Sequence, residues 1–505
     1  MAKRRDFLML GAGAAAGLAM YPLGTSLAGP SSTGMRIPVS KTSWLDPLRT
    51  SLRTEHDYAP RVEGAVPASL RGTLYRNGPG LFERNGVRKN NLLDGDGMIQ
   101  AYNFTDEKLR YRNRFVRTEK FLAEEKKGEF IYSTWSMAAP TGWLDRVGGG
   151  VLMSQAGVTT LVKHGKLLAF DEVARPYALD PETLKTQGEF PIQGGKDSLN
   201  YKAHTKTDGK NGDWVLFSTE FGRQMTLHAI VRSAAGKIKS RQSVTLPNSV
   251  YMHDFFLTER HILFLLNPME FSPFKFLLGF GSFIDALSWN PKAGNKMLVL
   301  DRNGDADPVF LDAPPSYMWH SVNAYDRGDE IIAEFVGYDD PDHFVGSDPA
   351  FRAIMQGRAG IAKSPGKLRR YLLNPARKTL REEIVSDRHY EFPMINLRLT
   401  GHRHRMTYLS AGSGNNWYHD GIAAIDMDTG KDQRFHFGPK HFVGEPVVTG
   451  GADSDGFLLA QVHHGDSGRT FLAVFEAVDV AAGPVAKLWL NHHVPISFHG
   501  WWQAA

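Results

Sequence analysis

Apolar and polar positions along this chain seldom fall at helical spacing. What recurs instead is a short apolar run, a turn built on Asp or Asn, and a second short run. Tyr177-Ala178-Leu179 leads into Asp180-Pro181, and Met297-Leu298-Val299-Leu300 into Asp301-Arg302-Asn303-Gly304. Tyr371-Leu372-Leu373 leads into Asn374-Pro375, and Ile422-Ala423-Ala424-Ile425 into Asp426-Met427-Asp428. Asp and Asn bond the backbone just ahead of them in such turns, while Gly and Pro supply the required dihedrals. Strand pairs repeated on this scale, without helices between them, predict an all-β array of sheets. The spacing is irregular, so the pattern alone leaves both a pair of sandwiches and a propeller open. Helices are expected to be short and confined to inserts.

Residues 271–280 depart from this pattern. Phe271-Ser272-Pro273-Phe274-Lys275-Phe276-Leu277-Leu278-Gly279-Phe280 is unusually apolar, and its Pro and Gly oppose a regular strand. Two readings stand side by side: a loop buried against the body, or an exposed apolar lip that touches membrane or admits an apolar substrate.

The N-terminus adds an address. Lys3-Arg4-Arg5-Asp6-Phe7-Leu8 precedes a Gly- and Ala-rich apolar segment, and Ser26-Leu27-Ala28 closes it with the small residues a signal peptidase accepts. Residues 1–28 therefore read as a twin-arginine-type signal peptide, which engages the Tat export machinery and sends an already folded protein to the periplasm or beyond. Residues 29–45 read as a linker and 46–505 as one domain, because no Ser/Gly- or Pro-rich stretch divides that region. The chain has no cysteine, which excludes disulfides, thiolate metal sites and cysteine nucleophiles. The formal charge is +5; the signal carries a net +2, leaving +3 with no run of like charge. A nucleic-acid partner is not expected.

Any metal must then be held by histidine or oxygen ligands. Four histidines sit in apolar or aromatic surroundings: Ala203-His204-Thr205, Met252-His253-Asp254-Phe255, Trp319-His320-Ser321 and Phe498-His499-Gly500-Trp501. With 19 histidines in the chain, spacing alone does not single these out. His402 and His404 would share a strand face, and His463-His464 and His492-His493 are adjacent pairs. Exposed turns are the expected setting for those six.

The selection comes from resemblance. Gly72-Thr73-Leu74-Tyr75-Arg76-Asn77-Gly78-Pro79-Gly80 and Leu93-Asp94-Gly95-Asp96-Gly97-Met98 resemble the opening motifs of the carotenoid cleavage oxygenase family. The four histidine segments resemble its metal-ligand motifs in the same order, so the likeness runs from about residue 45 to the end. It implies a seven-bladed β-propeller with a loop and helical cap over an axial iron. His204, His253, His320 and His499 would hold Fe(II). Glu172, Glu391 and Glu445 match the glutamates that accept ring N–H groups from the ligands and fix their tautomers. Thr205 stands where proline is usual and Met394 where arginine is frequent; neither removes a ligand.

The implied reaction is oxidative cleavage of a conjugated C=C bond by O2 into two carbonyl products, with no general acid or base beyond the ligands. An apolar alkene is the implied substrate, a carotenoid or apocarotenoid first and a stilbene as the alternative. Non-oxidative isomerisation at the same iron, or a metal-free binding scaffold, are the readings from other classes.

Overall fold

The computed structural model describes residues 34–37 and 43–505, apart from 106–108, 141–151, 195–198, 223, 280, 415 and 452–454. The expected signal peptide lies outside the described residues. Among those described, seven antiparallel sheets of four or five strands follow one another along the chain, with two small sheets besides. They are the blades of a seven-bladed β-propeller.

Blade 1 assembles Asp57–Tyr58, Arg110–Phe115, Asp96–Asn103, Gly72–Leu81 and, innermost, His499–Ala504. Blades 2 to 6 take four strands each, within residues 159–189, 206–245, 256–313, 317–386 and 390–436. Blade 7 takes four strands from residues 441–489 and a fifth, Arg61–Gly64, from the other end of the chain. Both ends thus interlock across the ring. His499–Ala504 runs antiparallel to Gly72–Leu81 with His499 opposite Asn77.

The Asp and Asn turns read from the sequence join the third and fourth strands of blades 2, 4, 5 and 6. Asp180 accepts from the backbone N–H of Thr183 at 2.8 Å. Asp301 accepts from Asn303 and Gly304, Asn374 from Arg377, and Asp426 from Asp428 and Thr429, all within 3.0 Å. Each turn uses a short acceptor to satisfy the backbone donors that the hairpin leaves unpaired.

Apolar faces of adjacent blades pack on each other. Phe217, Leu227, Phe255, Phe264 and Leu298 join blades 3 and 4, while Phe256, Met297, Phe335 and Tyr371 join blades 4 and 5. A further large cluster draws on the loops between strands and the upstream ends of the inner strands, with Trp135, Tyr251, Phe283, Tyr317, Trp319, Phe344 and Trp417 among its members. We call it the dome. Short helices lie in connections, as expected: Glu119–Lys127, capped by Thr118 and by Gly128 at φ 71°, Pro273–Leu277 and Ala350–Met355.

Residues 271–280 divide between the two readings. Phe271 is buried in the dome, stacked on Phe283 at 4.9 Å. Phe274, on the short helix that follows, is 68% exposed. One end anchors and the other forms a lip; Phe280 lies outside the described residues.

Candidate metal centre

The seven residues singled out by resemblance come one from each blade. Glu172 follows the second strand of blade 2; His204 and His253 precede the first strands of blades 3 and 4. His320 lies in Tyr317–Arg327, Glu391 in Tyr390–Met394, Glu445 in His441–Val448, and His499 opens the inner strand of blade 1. The three inner strands of blades 5, 6 and 7 slip register beside their site residue, between Met318 and Ser321, Glu391 and Met394, and Val443 and Pro446. Such bulges re-aim side chains that a regular ladder would point elsewhere. At Glu391 the distortion extends to Phe392, held at φ 51°, whose N–H bonds back to the Glu391 carboxylate.

The four imidazoles converge. One ring nitrogen from each of His204, His253, His320 and His499 lies within 4.8 Å of the others. Three of the rings are tied from behind. His253 Nδ1 is 2.8 Å from Glu172, His320 Nδ1 2.5 Å from Glu391 and His499 Nδ1 2.9 Å from Glu445. Each carboxylate accepts the Nδ1–H and so leaves the Nε2 lone pair facing the centre. His204 has no carboxylate partner among the described contacts, and Glu172, which precedes it in the chain, serves His253 instead.

This donor set fits a metal ion. His320 Nε2 is buried with no hydrogen-bond partner among the described residues. The Nε2 atoms of His204 and His253 approach to 3.0 Å, the spacing of two nitrogens each about 2.1 Å from a shared ion and at right angles to it. Charge agrees with the geometry at His204 and His499. Burial and the three neighbouring imidazoles hold His204 well below the usual histidine range, as a ligand must be neutral. Burial also lowers His499, against the pull of Glu445. At His320 burial opposes the proton, but the Glu391 carboxylate more than offsets it and the ring is raised.

The opening motif of the sequence proves to be the frame behind this centre. Arg76 is fully buried and donates to the carbonyls of Glu445 at 2.9 Å and Phe498 at 3.2 Å, and to Ser497 Oγ at 2.9 Å. It holds blade 7 and the His499 strand in register. Gly78 and Gly97 permit close backbone approach: a Cβ on Gly97 would meet the Ala156 carbonyl at 2.2 Å. Thr205, in place of the usual proline, accepts the Trp214 indole N–H at 2.9 Å, and Met394 lines the cavity below the histidines.

Three of the six remaining histidines correct the sequence expectation, while His464, His492 and His493 are half-buried. His402 and His404 precede the strand Met406–Ala411 rather than sharing a strand, and both are buried. His402 is held by Asp208 at 3.0 Å and His404 by Thr407 at 3.0 Å. His463 is also buried, on the Trp44 carbonyl at 2.8 Å. These three are interior groups, not exposed turns.

The histidines separate two unlike spaces. Downstream along the inner strands lies a cavity of about 450 Å³, where Lys206, Asp208, Asp254 and Asn323 share the lining with Phe256, Val322, Met394 and Trp501. Lys206 pairs with Asp254 at 3.0 Å, and Asp254 accepts from Ser321 N–H at 2.9 Å. Upstream lies the aromatic dome, with Tyr251 and Trp319 next to His253. Composition had no means of showing Asp254, Trp319 or Tyr251 as neighbours of the site; only their adjacency to His253 and His320 hinted at it.

Comparison with known proteins agrees with the geometry. Residues 48–504 match the retinal pigment epithelial membrane protein family. Apocarotenoid-15,15'-oxygenase of Synechocystis is 28% identical, spanning 94% of this chain and 98% of that protein. Isoeugenol monooxygenase of Pseudomonas nitroreducens is 25% identical over 87% and 93% of the two chains. Lignostilbene-alpha,beta-dioxygenase isozyme III of Sphingomonas paucimobilis is 24% identical over 92% and 97%. A solved variant of Synechocystis apocarotenoid oxygenase matches with a TM-score of 0.86 at 28% identity, covering 93% of this chain and all of that one. A cobalt-substituted form of the same enzyme matches at 0.85 over 92% and 98%. The chain thus belongs to the retinal pigment epithelial membrane protein family, that of the carotenoid cleavage oxygenases, and carries an oxygenase's four-histidine centre.

Proposed function

We propose that the protein is an Fe(II)-dependent dioxygenase that cleaves a conjugated C=C bond of a carotenoid or apocarotenoid. Both atoms of O2 end in the products, one in each of two carbonyl fragments. The observation that carries this reading is the convergence of four ring nitrogens within 4.8 Å beside an aromatic cluster. Bound Fe(II) would supply the O2 chemistry, and an electron-rich alkene would supply the electrons, so no redox cosubstrate is needed. His204, His253, His320 and His499 would hold the ion, while Glu172, Glu391 and Glu445 keep three of the rings in the donor tautomer. The dome supplies aromatic surroundings beside the rings, and Phe274 stands exposed on the short helix after Phe271.

The test is anaerobic Fe(II) reconstitution followed by O2 and a panel of an apocarotenoid, a full carotenoid and a hydroxystilbene. Two carbonyl fragments from the apocarotenoid or carotenoid are expected by mass spectrometry, and cleavage of the stilbene alone would move the substrate to that branch. His253→Ala is expected to lose both iron and turnover; unchanged iron content removes His253 from the ligand set. Products without label from 18O2 would point to isomerisation, and absence of iron from protein matured in an iron-replete host would point to a scaffold.

Folded export through the twin-arginine route is part of the same reading, since it lets the metal be loaded before the protein leaves the cytoplasm. Changing Arg4 and Arg5 to Lys is expected to hold the precursor inside, and normal export of that variant would refute the address.

A further inference from the structure

The dome contains a histidine that the ligand set does not use. His343, fully buried in the connection after Glu330–Tyr338, places its Nε2 2.6 Å from the Trp319 indole Nε1. An indole N–H can only donate, so His343 Nε2 must be bare and accept. Burial keeps the ring neutral, with its proton affinity pushed down to about 3, and the bond therefore survives across physiological pH. Packing fixes the ring as well: Tyr338 lies 4.5 Å and Phe351 5.5 Å from it.

Trp319 is the other half of the contact. Its ring stands perpendicular to His253 at 4.9 Å, edge to face. Tyr317 at 5.1 Å and Phe344 at 4.7 Å hold it from the other sides. Glu172 holds His253 through Nδ1, with the Tyr251 hydroxyl 3.3 Å from the same nitrogen. Both act in the plane of the ring, so its tilt is set by what packs against its face and edge, and there Trp319 stands.

We propose that His343 is a positioning residue for the metal centre, holding Trp319 edge-on against His253 through the indole hydrogen bond. The inference rests on the reading of His253 as a metal ligand. Without an acceptor, the buried indole N–H would lose its only hydrogen bond described here, and the ring would turn to find another. His253 would then meet the ion at a less defined angle.

The experiment compares apo-protein variants by Co(II) titration, by the visible spectrum of the cobalt form, and by the indole N–H resonance of Trp319, assigned through its loss in Trp319→Phe. His343→Leu is expected to shift that resonance and to weaken Co(II) binding roughly tenfold or more, the usual scale for losing an outer partner of a metal ligand. His343→Gln, whose carbonyl oxygen reaches the Nε2 position, is expected to return most of the affinity. Trp319→Phe keeps an aromatic ring against His253 but removes the donor. It is expected to match His343→Leu, with the double variant no worse than either single one. Wild-type Co(II) affinity in His343→Leu, or additive losses in the double variant, would overturn the proposal while leaving the metal centre in place. Failure of the wild type to bind Co(II), or equal binding by His253→Ala, would instead strike the ligand reading itself.

Discussion

The two spaces on either side of the histidines hold their titratable groups differently. In the dome, polar groups are kept neutral. Burial pushes the phenols of Tyr251, Tyr317 and Tyr338 well above the usual tyrosine range. It holds His343 at about 3 and His419 well below the usual range, the latter helped by its histidine neighbours. On the axial side, polar groups are kept ionised. Burial would raise Asp254 and Asp208, but Lys206 and Ser321 around the first, and His402 and Arg302 around the second, more than offset it and leave both lowered. Burial thus gives opposite results according to whether a counter-charge is built alongside. An uncharged wall is the better surface for an apolar ligand.

Placing a charge in the dome tests this most severely. Phe344 is fully buried among aromatic rings, so Phe344→Asp is expected to cost several kcal/mol and to leave little folded protein; a melting temperature near the wild type would mean that the dome tolerates ions. Next in size, Lys206→Met strands Asp254 without its cation. A loss of about 2–3 kcal/mol is expected by denaturant titration, below the full cost of breaking a sealed pair because Lys206 is half-buried and Asp254 keeps Ser321. No loss would show the pair to be ornamental.

Acid acts more gently. His343 at about 3 and His463 and His404 at about 4 lie below the unfolded value near 6.5. Between pH 6.5 and 4 the unfolded chain takes up protons that the folded one refuses, so stability falls as pH falls through that window. A drop of roughly 5 °C in melting temperature between pH 7 and pH 5 is expected for the apo-protein, and a flat profile would contradict it. The smallest effect belongs to His419→Leu. Both nitrogens of His419 lack hydrogen-bond partners among the described residues, so an apolar side chain of similar volume is expected to shift stability by less than about 1.5 kcal/mol at pH 7. The same change should shallow the acid slope, and an unaltered slope would remove His419 from the titrating set.

Much of the fold was readable where its causes are local. The turns at Asp180, Asp301, Asn374 and Asp426 work through bonds spanning two or three residues, so the sequence displays them directly. The four converging histidines were readable only by likeness to a family, because what distinguishes His253 from His402 is convergence across blades. His463 illustrates the limit: its partner, the Trp44 carbonyl, lies 419 positions away. The same reason hid the pairing of Glu172 with His253 rather than with the nearer His204, and the indole bond to His343. Residues 271–280 were split by packing, as Phe271 met Phe283 while Phe274 met nothing comparable.

The interlocked ends of the chain carry one more implication. His499, the last of the seven site residues in chain order, sits on the strand that completes blade 1, and Arg76 clasps it to Glu445 of blade 7. The centre is therefore a signature of a finished circle. A chain still being made, or a ring sprung at the seam between blades 1 and 7, has at most three of the four imidazoles in place. Metal retention then certifies that assembly is complete, and slow release of the ion under mild denaturant would time the opening of that seam.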